Sequence, residues 1–86
     1  MPIISSFYGI KIAMFYGDHH PAHIHIFYNE YQATLNIKTC EVIQGKIPIR
    51  ALKLVKKWTK LNQEELIKNW RLAKNHQILS YIDPLE

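Results

Sequence analysis

The first half of the chain alternates between hydrophobic and polar positions, which is the pattern of β-strands. Between Phe7 and Phe15, the apolar residues Ile10, Ile12 and Met14 recur at every second position. Side chains two residues apart lie on the same face of a strand, so these three would face a common core. The pattern predicts a first strand over residues 7–15.

The same alternation predicts two further strands. One covers residues 23–28, where His23, His25 and Phe27 share one face and the isoleucines between them share the other. The next covers residues 31–37, which carry apolar side chains at alternate positions. Only two residues separate these segments, so they are predicted to pair as an antiparallel hairpin.

From Pro48 onwards the apolar residues recur with a helical period. Pro48 suits the first turn of a helix, because its missing N–H would be unpaired there anyway. The apolar stripe of the first helix is formed by Ala51, Leu54, Val55 and Trp58. The stripe of the second helix is formed by Leu66, Trp70 and Ala73. Asn62 and Glu65 have the spacing of a capping box, which predicts that the second helix begins at Asn62.

Two shorter apolar segments are also predicted as strands. Val42 and Ile43 would form a fourth strand that ends at Gly45, and residues 78–82 would form an edge strand. The chain is therefore predicted to be a single α+β domain over residues 1–86. We expect an antiparallel β-meander of three to four strands, followed by two C-terminal α-helices packed on one face of the sheet.

Composition narrows the class of protein. The 86 residues are 48% hydrophobic and 21% charged, which indicates a folded globular chain. The net charge of +4 favours an acidic partner, such as nucleic acid or a negatively charged protein. A single cysteine excludes an internal disulfide. There is no signal-peptide pattern and no apolar run of about 20 residues, so we expect a cytoplasmic protein without a membrane partner. The small core makes a homo-oligomer or another protein partner a reasonable expectation.

The candidate chemistry is concentrated in the segment from Gly17 to His25, which holds four of the five histidines. The segment also contains Asp18 and the chain-reversing Pro21. Histidine is the side chain whose unperturbed pKa, about 6.5, is closest to neutrality. A carboxylate among several histidines is therefore compatible with metal binding, with acid–base catalysis or with a hydrogen-bonded turn.

The sequence leaves these three alternatives open. His23 and His25 lie about 7 Å apart along a strand, so they could share a zinc, iron, manganese or nickel ion with Asp18, His19 or His20. Alternatively, Asp18 could orient a histidine that transfers protons at the 2′-hydroxyl of RNA. In that metal-independent ribonuclease, which needs no cofactor, the candidate catalytic residues are Asp18, His19, His23 and His25. In the third alternative, the histidines only hydrogen-bond the turn.

The predicted first helix also carries a row of basic residues. They are Arg50, Lys53, Lys56, Lys57 and Lys60. Their helical spacing predicts a positive ridge that could follow a phosphate backbone, so they are the candidate nucleic-acid-binding residues. The same pattern is typical of the solvated face of an amphipathic helix.

Three segments carry a resemblance to a known family. They are Phe7-Tyr8-Gly9-Ile10, Asp18-His19-x-Pro21-x-His23-x-His25 and Gly45-Lys46-x-Pro48-x-Arg50-Ala51. In these segments the chain resembles the small bacterial domain-of-unknown-function family 4160. It departs from the family pattern at Ala22, Ile24 and Cys40, where members usually carry proline, phenylalanine and glycine. The resemblance implies a compact protein encoded beside a partner gene, acting as the toxin of a toxin–antitoxin pair. It implies no role for any particular residue.

The residues and the resemblance together lead to one functional expectation. We predict the growth-inhibiting toxin of a bacterial type II toxin–antitoxin pair, neutralised by a cognate antitoxin protein. Its target would be RNA or translation, attacked by histidine acid–base catalysis. The alternative is a non-catalytic protein- or nucleic-acid-binding module, or a regulatory partner.

Overall fold

A computed structural model describes residues 2–86 of the chain. Within them, the strands are β1 Ile3–Phe7, β2 Ile10–Ala13, β3 His23–Tyr28, β4 Tyr31–Asn36 and β5 Val42–Lys46. The helices that follow are α1 Ile49–Leu61 and α2 Gln63–Lys74. The strands form one sheet in the order β1-β2-β3-β4-β5, and each neighbouring pair is antiparallel. The predicted α+β meander with two C-terminal helices is confirmed, with five strands instead of three to four.

The additional strand arises because the predicted first strand is interrupted by a tight turn. Tyr8 and Gly9 have φ angles of 50° and 78°, and they connect the paired residues Phe7 and Ile10. Two central residues with positive φ are characteristic of a type I′ hairpin turn. Tyr-Gly is a weak sequence signal for this turn, and the prediction of one strand over residues 7–15 was therefore wrong.

The last strand is longer than predicted. Gly45 does not end it, because its φ angle of +87° lets the backbone continue opposite Ala33 as far as Lys46. Glycine tolerates this left-handed conformation because it has no Cβ. β5 forms one edge of the sheet, and all its residues are exposed.

The predicted apolar stripes of both helices face the core, but the capping box is absent. Asn62 uses its side-chain N–H to donate to the carbonyl of Trp58, 2.9 Å away, and makes no side-chain cap to α2. A single residue separates the helices, so Asn62 both ends α1 and precedes α2, where its carbonyl accepts the Leu66 N–H at 2.9 Å without the side-chain bonds of a capping box. Pro48 lies just before α1, where its carbonyl accepts the Leu52 N–H at 2.9 Å.

The residues after α2 form an extended tail, and the edge strand predicted at residues 78–82 is absent. The tail makes specific contacts nevertheless. The N–H of Ile82 donates to the carbonyl of Ile4 at 2.8 Å, and the Trp58 indole N–H donates to the carbonyl of Asp83 at 2.8 Å. Asn69 bonds both backbone groups of Ser80. These isolated bonds do not form the repeated ladder of a strand.

The two faces of the sheet have different environments. Ile24 and Ile26 of β3 are fully buried in one core cluster with Val55 and Trp58 of α1, so the helices cover this face. Residues alternate along a strand, so His25 and Phe27 lie on the opposite face, where both are half-buried. His25 is therefore on the face that the helices leave open, whereas His23, at the start of β3, is buried with its ring 5.2 Å from that of Trp70 in α2.

Candidate functional site

The connection between β2 and β3 brings Asp18 back onto the start of β3. Gly17 makes the reversal with a φ angle of +70°, and its N–H is 3.4 Å from the carbonyl of Ala73 at the end of α2. Pro21 then leads the chain into β3 at His23. The loop is therefore held between the sheet and α2, with Asp18 next to the strand's histidines.

Asp18, His23 and His25 converge on one point, and we call these three residues the Asp–His cluster. Asp18 Oδ2 lies 2.9 Å from His25 Nε2 and 3.0 Å from His23 Nε2. The side chain of Asp18 is 20% exposed, that of His25 is 19% exposed and that of His23 is 9% exposed. The cluster lines a surface pocket of about 170 Å³, so solutes can reach it although most of its surface is covered.

The hydrogen bonds of His23 define the charge of the cluster. Its Nδ1 lies 2.7 Å from the carbonyl of Pro21, which can only accept a hydrogen bond, so Nδ1 carries a proton. Its Nε2 faces a carboxylate oxygen, which when ionised is also only an acceptor. A positive charge, either a proton or a metal ion, is therefore required between His23 Nε2 and Asp18 Oδ2.

The carboxyl group of Asp18 is ionised in this environment. Burial alone would raise its pKa. The hydrogen bond from His25, together with the charges of both histidines and the hydrogen bond from His23, outweighs burial and lowers the pKa below its ordinary value. At neutral pH, Asp18 is therefore the negative centre of the cluster.

Aromatic rings fix both histidines. The ring of Phe15 lies 4.1 Å from that of His25, measured between centroids, and the Trp70 ring lies 5.2 Å from that of His23. The indole N–H of Trp70 is buried and has no hydrogen-bond partner among the described residues. These rings limit the positions that the imidazoles can adopt.

The other two histidines of the segment lie outside the cluster. His19 is 93% exposed, and its Nδ1 is 4.0 Å from Asp18 Oδ1, which is too far for a hydrogen bond. His20 Nε2 lies 3.3 Å from the ammonium group of Lys74, which donates to it. The structure thus brings together three of the four predicted catalytic residues and leaves His19 at the rim.

The predicted nucleic-acid-binding residues do not adjoin the cluster. Arg50, Lys53, Lys57 and Lys60 are exposed and Lys56 is half-buried on α1, the helix that covers the other face of the sheet. A different set of cations is nearer. Lys38, Arg71 and Lys74 line a pocket of about 450 Å³ that shares His20 and Pro21 with the cluster pocket. We call it the basic pocket.

The basic pocket could not be predicted from the sequence. Lys38 lies in the turn before β5, whereas Arg71 and Lys74 belong to α2. On a helical pattern, Arg71 and Lys74 are indistinguishable from ordinary solvated residues. Only the packing of α2 against the start of β3 brings the three cations together.

A third pocket, of about 370 Å³, continues from the cluster along the open face of the sheet. It shares His25, Thr34 and Gln44 with the cluster pocket, and Phe15 and Phe27 contribute its aromatic surface. We call it the aromatic pocket. The cluster therefore lies between a cationic cavity and an aromatic one.

The Asp–His cluster has the composition of a metal site. Each residue offers one ligand atom, and these atoms all lie within 4.8 Å of one another. Over residues 2–86, no other three His, Cys, Asp or Glu side chains converge in this way. The same arrangement also suits proton transfer, because a carboxylate orients two imidazoles.

Comparison with known proteins places the chain in a family. Among residues 2–86 there is no helix with the length and apolar character needed to cross a membrane. No curated protein and no solved structure matches the chain. The family model described as Domain of unknown function (DUF4160) matches residues 9–71, which include the whole Asp–His cluster and most of the fold. The chain therefore belongs to the DUF4160 family, as its sequence motifs indicated.

Proposed function

We propose that this protein is the toxin of a type II toxin–antitoxin pair, that it acts in the cytoplasm on RNA, and that the Asp–His cluster is its reacting centre. The observation that carries the proposal is the convergence of His23 Nε2 and His25 Nε2 on a single oxygen of Asp18. Such a centre can move a proton or hold an ion in a surface pocket. Both are means of activating a hydroxyl group.

RNA fits this centre because it contains its own nucleophile. The 2′-hydroxyl can attack the adjacent phosphate once its proton is removed and the developing charge is stabilised. The cluster would activate the hydroxyl, and no second substrate would be needed. DNA lacks this group, so the proposal predicts activity on RNA alone.

The basic pocket supports a polyanionic substrate. Lys38, Arg71 and Lys74 carry positive charge into the cavity next to the cluster, and none of the described residues that line it is acidic. Phosphate groups on either side of the reacting one could be held there by charge-assisted hydrogen bonds. The lysines of α1, on the helix that covers the other face of the sheet, are the alternative location for nucleic-acid contact.

The aromatic pocket supports an unpaired strand. Phe15 and Phe27 offer ring surface next to His25, and Gln32 and Gln44 offer amide groups. Proteins that bind single-stranded RNA stack its bases on aromatic side chains and read their edges with polar ones. A nucleotide could therefore place its base here with its ribose at the cluster.

The test is controlled expression in a bacterial host, with and without the neighbouring gene. His25→Ala removes one group of the cluster, and His76→Ala is the matched control, because His76 is an exposed histidine outside it. We expect growth arrest by the wild type and by His76→Ala, relief by the neighbouring gene, and no arrest by His25→Ala. Circular dichroism of the purified variants must show the same fold.

A second readout tests the RNA substrate. Attack by the 2′-hydroxyl leaves new 5′-hydroxyl ends, which can be mapped in RNA from arrested cells. Normal growth with soluble wild-type protein would contradict the toxin proposal. Arrest without new RNA ends would keep the toxin but reject RNA cleavage as its mechanism.

A non-catalytic binding module or regulatory partner is the second candidate, and the edge strand favours it. Val42 and Ile43 of β5 are 38% and 48% exposed on a strand that, within residues 2–86, pairs only with β4. A free strand edge can accept a strand from a partner protein or from a second copy of the chain. In this case Val42→Lys, which changes the strand edge outside the cluster pocket, would abolish function and His25→Ala would not.

A further inference from the structure

We infer that the Asp–His cluster is a binding site for a divalent first-row transition-metal ion, with Asp18 Oδ2, His23 Nε2 and His25 Nε2 as its ligands. This inference departs from the metal-free site expected from the sequence. It goes beyond the proposed function and does not depend on it, since a metal site can serve a toxin or a binding module. Four features of the cluster support it.

The distances between the ligand atoms fit one ion. Zinc is bound at about 2.0–2.1 Å by histidine and carboxylate ligands, which puts adjacent ligand atoms about 2.9–3.4 Å apart in octahedral or tetrahedral geometry. Asp18 Oδ2 is 2.9 Å from one imidazole nitrogen and 3.0 Å from the other. Both separations match those of adjacent ligands around one ion, and all three ligand atoms lie within 4.8 Å of one another, so a single ion could contact all of them.

The backbone holds His23 in the orientation of a metal ligand. Its Nδ1–H donates to the carbonyl of Pro21 at 2.7 Å, so the neutral ring directs the lone pair of Nε2 towards Asp18. Metal-bound histidines usually donate their second N–H to a carbonyl or carboxylate, which fixes the ring and the tautomer. This hydrogen bond was not predictable from the sequence.

An ion also satisfies the hydrogen-bonding requirements of all three groups together. Without it, a single oxygen of Asp18 faces ring nitrogens of both imidazoles, at 2.9 and 3.0 Å, in a site where the His23 side chain is only 9% exposed. With a divalent cation, both histidines are neutral ligands and the carboxylate binds positive charge directly. The cation supplies the positive charge that the contact between His23 and Asp18 requires.

The ligand set indicates which ions bind and leaves room for a further ligand. Two imidazole nitrogens with one carboxylate oxygen suit zinc, cobalt, iron, manganese and nickel, whereas magnesium and calcium prefer oxygen alone. Three protein ligands leave at least one position open, which is characteristic of catalytic rather than structural sites. The open position would face the cluster pocket, where a substrate oxygen could bind.

The experiment is titration of chelator-treated full-length protein with Zn²⁺ by calorimetry, and with Co²⁺ by visible absorption. The site variants are Asp18→Asn and His25→Ala, which change less buried positions than His23, and His76→Ala is the control. We expect one ion per chain and a loss of affinity of at least about 100-fold in each site variant. His76→Ala should bind like the wild type, and Mg²⁺ should not compete.

Two results would overturn the inference. One is the absence of stoichiometric Zn²⁺ or Co²⁺ binding by folded wild-type protein. The other is wild-type affinity in both site variants, which would assign the ion to exposed histidines. Metal binding without growth arrest would reject the toxin proposal and support the metal site. Growth arrest by a protein that binds no metal would reject the metal site and support the toxin proposal.

Discussion

Gly45→Ala provides a sharp test of how β5 is attached to the sheet. Gly45 lies opposite Ala33 with a φ angle of +87°. A Cβ added there would lie 2.8 Å from Ala33 Cα and 3.1 Å from the carbonyl carbon of Gln32. Both are backbone atoms, so no side-chain rotation can relieve the contact, and β5 would have to move away from β4.

The loss of stability has three contributions. Holding an L-residue in a left-handed conformation costs about 1–2 kcal/mol. Each β4–β5 hydrogen bond weakened by the shift costs about 1 kcal/mol, and we expect about two to be affected. The reduced freedom of the unfolded chain returns about 0.4–1 kcal/mol. The free energy of unfolding should therefore fall by about 3 kcal/mol, a large part of the total for a chain of this length.

Gly9→Ala is the matched control. Gly9 also has a left-handed backbone, at φ +78°, but an added Cβ would meet only the Tyr28 ring at an ordinary 3.7 Å. Its expected cost is about 1 kcal/mol. Since 1 kcal/mol shifts Tm by about 4–8 °C in a domain of this size, Gly45→Ala should lower Tm by about 12–24 °C and Gly9→Ala by about 4–8 °C. Tryptophan fluorescence during heating measures both, and equal losses would refute the steric explanation.

Three further predictions concern the tail, the basic surfaces and the metal site. Asn69→Ala removes both side-chain bonds to Ser80, at 2.8 and 3.0 Å, and should cost about 1–2 kcal/mol in urea unfolding and expose residues 76–86 to proteases. Unchanged protection of the tail would contradict this anchoring role. For binding to single-stranded RNA, Lys74→Ala should reduce by about 0.7 the magnitude of the slope of the logarithm of the association constant against the logarithm of salt concentration. Lys53→Ala should leave this slope unchanged. The reverse result would assign RNA binding to α1. Zn²⁺ at about 100 times its Kd should stabilise the wild type by about 2.7 kcal/mol, and equal stabilisation of His25→Ala would argue against the cluster as the metal site.

Local periodicity was sufficient to predict much of the fold. The alternation over residues 23–28 placed His23 and His25 on one face of a strand, and the helical stripes that contain Trp58 and Trp70 placed both tryptophans in the core, as the structure confirms. These features depend on the two- and 3.6-residue repeats of strands and helices, which are properties of neighbouring residues. The histidine segment was recognisable for the same reason, because its members are close in sequence.

The arrangement of the site was decided by tertiary contacts. That Asp18 joins His23 and His25, while His19 stays exposed, depends on how the loop packs against α2 and β3. The basic pocket likewise draws its cations from a turn and a helix that are more than thirty residues apart in sequence. A hydrogen bond or an ion site requires atoms of residues that are not adjacent in sequence to be positioned to within a few tenths of an ångström. Residue type and spacing therefore determined which groups were present and on which strand face, and only the packed fold determined which of them meet.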